Sequence, residues 1–119
     1  MATKNDQSTR FYSQQQETYI AKMLGGQRCV NSGAGKFSKS DVIVKDASLS
    51  LECKTSMTEK SSFSIKKDWI TKHYDEARSS RLSNTALAIS FDPSGKENYF
   101  LIDEKLMRFL VKKLKEDFE

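Results

Sequence analysis

Leu49–Thr55, LSLECKT, alternates apolar and polar side chains, and no other stretch restricts the fold as tightly. A period of two puts Leu49, Leu51 and Cys53 on one face of a strand and Ser50, Glu52 and Lys54 on the other. Just upstream, Asp41–Lys45 (DVIVK) is a second strand with a β-branched centre, and Asp46-Ala47-Ser48 turns the chain between them. Together these read as a hairpin.

The remaining elements follow from stop and start signals. Residues 1–10 read as a ragged polar tail. Ser13 with Gln16 fits a capping box, opening a helix that runs to about Leu24 and stops at Gly25-Gly26. Gln27–Val30 is a short strand, and Asn31–Ser40 is a small, polar, glycine-bearing basic loop. Met57–Ser64 is a loop or short edge strand. Lys66–Ser80 is a helix, with Ile65, Trp69, His73 and Ala77 in one stripe. Thr85–Phe91 is a buried strand, Asp92–Asn98 a turn and Tyr99–Ile102 another strand. Asp103 caps a last helix whose inner face carries Leu106, Leu110 and Leu114. The order α-β-β-β-α-β-β-α predicts an α/β fold: a mixed five-stranded sheet flanked by helices. The 119 residues make one domain, expected over residues 11–119 behind the tail.

Composition narrows the function classes. Two cysteines, Cys29 and Cys53, are too few for a disulfide framework or a zinc site. A single histidine, His73, leaves little room for Ser-His or Cys-His nucleophilic catalysis. Enzymatic chemistry must then come from carboxylates, lysines and a hard metal ion. The longest apolar runs, Ala86–Ile89 and Tyr99–Ile102, fall far short of the roughly 20 residues of a membrane span. The polar N-terminus is no secretory signal, so a cytoplasmic address is expected. The formal net charge of +4 suits a polyanionic partner, and the basic residues Arg28, Lys36, Lys39 and Lys45 face only Asp41 in their segment.

Glu52 and Lys54 project from the same strand face, roughly 7 Å apart. Alone the triplet is weak: chance gives about two acidic-x-Lys triplets in such a chain, and a solvated hairpin face is the plain alternative. The hairpin adds Asp41, which a tight closure brings beside Glu52 at its open end. Two converging carboxylates repel unless a cation lies between them, and oxygen ligands suit Mg²⁺, with Mn²⁺ as a substitute. The backbone carbonyl of Cys53 is a further ligand candidate, and Lys54 can orient a water or offset transition-state charge. Ser32-Gly33-Ala34-Gly35-Lys36 offers backbone N–H groups with little side-chain cover, and with Lys39 it can follow a phosphodiester backbone. It lacks the Walker A spacing, and a flexible glycine loop with solubilising lysines is the alternative.

At these residues the chain resembles the PD-(D/E)XK nuclease superfamily, and within it the archaeal-type Holliday-junction resolvases, including phage-like forms. The likeness is carried by the helix with Glu17, by Ser32–Gly35, by Asp41-Val42-Ile43-Val44 and by Leu51-Glu52-Cys53-Lys54-Thr55. It covers about Ser13–Thr55; the remainder is similar only in element order. Ser40 departs from the pattern, standing where a proline usually precedes the aspartate. The resemblance implies a restriction-endonuclease-like fold and a Mg²⁺-dependent phosphodiesterase site of Glu17, Asp41, Glu52 and Lys54, with Ser32 contributing. It implies hydrolysis of a DNA phosphodiester by a homodimer that reads a four-way junction by shape. Glu17 lies on the side of its helix that carries Ile20, Ala21 and Leu24, the side expected to face the sheet. It reaches the metal directly or through a water on this reading; pointing to solvent past the sheet edge is the alternative.

Arg28, Gly33, Gly35, Lys36 and Lys39 form the expected DNA-facing set, with Lys66, Lys67 and Lys72 as candidates whose alternative is a solvated helix face. Trp69 is expected in the core and His73 packed beside it. Lys112–Lys115 complement the C-terminus of the last helix. Two further readings stay open: a repair- or restriction-type nuclease with the same site, and a non-catalytic nucleic-acid-binding module.

Overall fold

The computed structural model describes residues 2–29 and 40–118, with side chains from Arg10 onward. The elements are α1 (Ala2–Leu24), β1 (Gln27–Arg28), β2 (Val42–Val44), β3 (Leu49–Thr55), α2 (Lys67–Ser79), β4 (Asn84–Ser90), β5 (Asn98–Ile102) and α3 (Glu104–Asp117). They form the expected α/β layout, a five-stranded mixed sheet with three helices. No helix among the described residues is long and apolar enough to cross a membrane.

Helix α1 starts at Ala2, where the sequence reading has a ragged tail and a capping box at Ser13. No proline or glycine interrupts the segment before Gly25, so nothing stops the helix at its N-terminal side. Gln16 caps nothing. It is fully buried, and its amide nitrogen donates to the carbonyls of Lys54 and Ala88 and to Asn98 Oδ1. The helix ends as predicted at Gly25, whose φ of +69° is open to glycine at no steric cost.

The hairpin is β2–turn–β3, antiparallel, with Val42 opposite Leu51 and Val44 opposite Leu49. A short 3₁₀ turn over Lys45–Ala47 and a left-handed Ser48 close it. The strand order is β1-β2-β3-β4-β5, which puts β3 in the middle. Its other neighbour, β4, runs parallel to it with Glu52 opposite Leu87, and α2 makes the crossover that parallel pairing requires. A central strand of this kind is covered on both faces. Ile20 and Ala21 of α1 pack over Val42, Val44, Leu51, Ala86 and Ala88 on one side. On the other side Ser50 is fully buried and bonded to His73 of α2. The polar face of the hairpin is therefore covered by α2 at Ser50, while Glu52 and Lys54 remain half-buried beside the helix.

Two apolar stripes sit differently from their predicted places. Trp69 is only half-buried, because α2 meets the sheet through His73 and Ala77 while its N-terminal end reaches past the rim. Helix α3 is capped as predicted, the Leu106 N–H donating to Asp103 Oδ1 at 2.8 Å, but it contains no buried residue. Leu110 and Leu114 are 41% and 56% exposed, so the leucine face expected to point inward is left uncovered by the described residues.

Candidate active site

Register builds the site. The β2–β3 pairing ends at Val42 opposite Leu51, and Asp41 follows just outside β2, at the end of the hairpin away from the turn where Glu52 also lies. The Asp41 N–H donates to the Leu51 carbonyl at 3.0 Å, one residue off the register of the pairs before it, so the regular ladder breaks here. Beyond it the side chain takes over from the backbone: the Cys53 N–H donates to Asp41 Oδ2 at 2.8 Å. This bond holds the carboxylate at the strand end. A residue's N–H and carbonyl leave a strand on the same edge, so the Cys53 carbonyl faces the Asp41 side as well.

Lys54 lies on the same strand face as Glu52, and Nζ sits 3.0 Å from Glu52 Oε2. Its ammonium also lies 4.3 Å from the centre of the Trp69 ring. Asp41, Glu52 and Lys54 share one cleft with Trp69, Lys72 and Glu76. The sequence reading thus places three of the six, has Lys72 as a phosphate contact, and misses Glu76 and the cleft position of Trp69. The available signal is spacing: positions 69, 72 and 76 fall on one face of a helix.

The carboxylates are short of counter-charge. Asp41 titrates above the ordinary aspartate range, mainly because it is buried; the Cys53 N–H opposes this, and the charges of Glu52 and Glu76 add to it. Glu17 is pushed up to about 7 from 4.5 by burial and then by the charge of Asp41, against the pull of Arg28. Arg28 Nε lies 3.3 Å from Glu17 Oε1. Glu17 therefore belongs to the electrostatics of Asp41, but it meets Arg28 on the α1 side and does not line the cleft. Arg28, a candidate DNA contact in the sequence, spends its charge on Glu17. The Cys53 thiol is raised by burial and then by Asp41, Glu17 and Glu52, which keeps it protonated.

Beneath the cleft runs a buried polar chain. Ser40 Oγ hydrogen-bonds Ser50 Oγ, and Ser50 Oγ lies 2.7 Å from His73 Nε2. Burial holds His73 below its ordinary range, so it is a neutral packing residue, as the sequence predicts. Ser40 makes a bond here that the proline of the resembled pattern cannot make. Ser32, Gly33, Gly35, Lys36 and Lys39 lie outside the described residues. Lys66 and Lys67 are exposed at the start of α2, near the cleft that Lys72 lines.

Among the described residues, no group of three or more His, Cys, Asp and Glu side chains converges as a metal cage. The candidate set is smaller: the carboxylates of Asp41 and Glu52 and the carbonyl of Cys53. All three donors are hard oxygens, and one or two carboxylates completed by water and phosphate is how Mg²⁺ is commonly held. Burial that disfavours the Asp41 anion also favours a cation beside it. On donor chemistry the residues fit a hard divalent ion.

Comparison of the chain with protein families, curated proteins and solved structures finds no match.

Proposed function

We propose that this chain is a metal-dependent DNA endonuclease that acts as a homodimer on four-way junctions. One observation carries the reading: Asp41, Glu52 and Lys54 open on a single cleft, with Asp41 tied to the backbone of Cys53 between the other two. The same residues bear the resemblance to the PD-(D/E)XK nucleases, which is what names DNA and the junction. A hard divalent ion held by Asp41, Glu52 and the Cys53 carbonyl would supply a Lewis acid and an activated water for in-line attack on phosphorus.

The chain's own groups do the rest. Asp41 is pre-aimed by the Cys53 N–H and costs no reorganisation when it binds a cation. Lys54 presents ammonium N–H donors to a phosphate oxygen, and Lys72 adds positive charge from the opposite wall. His73, neutral and bonded to Ser50, holds the floor of the site and moves no proton. The exposed lysines Lys66 and Lys67 extend the basic surface at the rim, where phosphate contacts fix register without reading sequence.

The open edge of β5 and the exposed apolar face of α3 support a two-fold dimer. Tyr99, Met107, Phe109 and Leu114 are each more than half exposed. Uncovered strand edges and apolar patches of this kind mark interaction surfaces. The cytoplasm is the setting that goes with this substrate.

The test is cleavage of a labelled four-way junction and a matched linear duplex, with Mg²⁺ and with EDTA. Cutting is expected with Mg²⁺ alone, lost by about a hundred-fold or more in Asp41→Asn and in Glu52→Gln, with DNA binding retained. Cutting in EDTA, or full activity in both variants, overturns the site. Binding without cutting under any condition makes the chain a binding module. A monomer that cuts linear duplex equally well is a repair- or restriction-type nuclease.

A further inference from the structure

The ammonium of Lys54 has two partners from two elements. Glu52 Oε2 lies 3.0 Å away on the same strand, and the Trp69 ring, carried by the first turn of α2, faces it at 4.3 Å. We propose that Trp69 is a positioning residue for Lys54: its indole face holds the ammonium in the cleft when the Glu52 carboxylate is engaged elsewhere. The inference rests on the nuclease reading of the same cleft and names what that reading leaves out.

Glu52 has two claims on it. It is the ion-pair partner of Lys54 and also one of the two carboxylates offered to a cation. Once it serves a divalent ion, its charge is shared and its hold on the ammonium weakens. A lysine stem with free rotors then has no reason to stay in the cleft. The indole face attracts the ammonium through its ring quadrupole and offers a hard cation no oxygen, so the two do not compete for it. The platform also uses none of the three N–H donors in a strong bond, which leaves them for a phosphate oxygen. The geometry disfavours a base-stacking role for the same ring face, because the Lys54 ammonium already occupies it.

A double-mutant cycle of Trp69→Leu and Lys54→Met tests this, with Trp69→Phe as the conservative variant. Cleavage of junction DNA is followed with Mg²⁺, and kcat and KM are separated. Trp69→Leu is expected to lower kcat about ten-fold, the worth of one partly desolvated contact. KM for DNA should stay within roughly two-fold, as for an interaction made at the reacting centre. Trp69→Phe, which keeps a π face, should restore most of the loss. In the Lys54→Met chain, adding Trp69→Leu should cost nothing further. Additive losses, or a raised KM with unchanged kcat, overturn the proposal; the second is the signature of stacking on DNA. If Trp69→Leu does not fold, the cycle is run with Trp69→Met, which keeps apolar bulk and removes the π face.

A second arm needs no catalysis. Trp69 is the only tryptophan, so its emission reports the contact directly. Lys54→Met should change the emission of the metal-free protein, while Lys45→Met, an exposed control in the hairpin turn, should not. Unchanged emission in Lys54→Met overturns the contact. A wild type that cuts no DNA while the emission still responds removes the nuclease reading and not the contact, so the two failures are told apart.

Discussion

Glu17→Gln is the substitution whose effect can be worked furthest from the structure. Holding the Glu17 anion in its buried place beside Asp41 raises its pKa from 4.5 to about 7, a cost of about 3 kcal/mol at pH 8. Glutamine removes that charge. That cost is already net of the attraction of Arg28, which the raised pKa includes. The expectation at pH 8 is a variant more stable by about 2–3 kcal/mol, or a melting temperature higher by about 8–12 °C. The gain disappears as pH falls. The folded state holds this proton more tightly than the unfolded state, so wild-type stability from this group is full below pH 4.5 and is lost as pH rises to about 7. Below pH 4.5 the glutamate is itself neutral, and the variant should be no better than wild type. The assay is a series of thermal melts from pH 4 to 8.5 in EDTA, read as the difference between the two proteins, since Asp41 adds its own slope to both. A difference that stays constant across this range refutes the reasoning. On the nuclease reading a bound cation supplies the missing counter-charge, so Mg²⁺ should narrow the gap at pH 8. Cleavage should slow in the same variant, moving opposite to stability.

Gly95→Ala tests the packing of α1 on the β4–β5 turn. Its φ is +67° and an added Cβ would stand 2.9 Å from Gln16 Cα and Cβ, so a loss of about 2–3 kcal/mol is expected in urea unfolding; an unchanged midpoint refutes it. Asp103→Ala removes the cap on the Leu106 N–H and should cost about 1 kcal/mol by the same measurement; an unchanged midpoint refutes it. Leu110→Lys with Leu114→Lys places charge on the uncovered face of α3. Light scattering should show a dimeric wild type and a monomeric variant, and equal masses would remove α3 from the interface.

The local part of this fold was readable from the chain. The hairpin, its β3 boundaries, the stop at Gly25 and the cap at Asp103 all depend on side-chain period and short-range chemistry, which neighbouring residues carry in full. Asp41 and Glu52 were readable together for the same reason, because one turn brings their ends of the hairpin side by side. Other features depend on segments far apart in the chain. Glu52 stands opposite Leu87 only because β3 pairs in parallel with β4, and the crossover through α2 buries Ser50 and half-buries Glu52 and Lys54. The arrival of α2 decides that Trp69 meets Lys54 at a rim and not in a core, and that Glu76 joins the cleft. A helical stripe states which residues share a face; it does not state how far the partner surface extends beneath them. The leucines of α3 show this most plainly, since their period is regular and yet the sheet of this chain leaves them uncovered. Gln16 is the same lesson within α1: its spacing to Ser13 suggests a cap, but two carbonyls from strands distant in sequence offer its amide a better place. Periodicity and turn chemistry are properties of the chain, whereas burial and charge pairing across elements are properties of the assembled sheet.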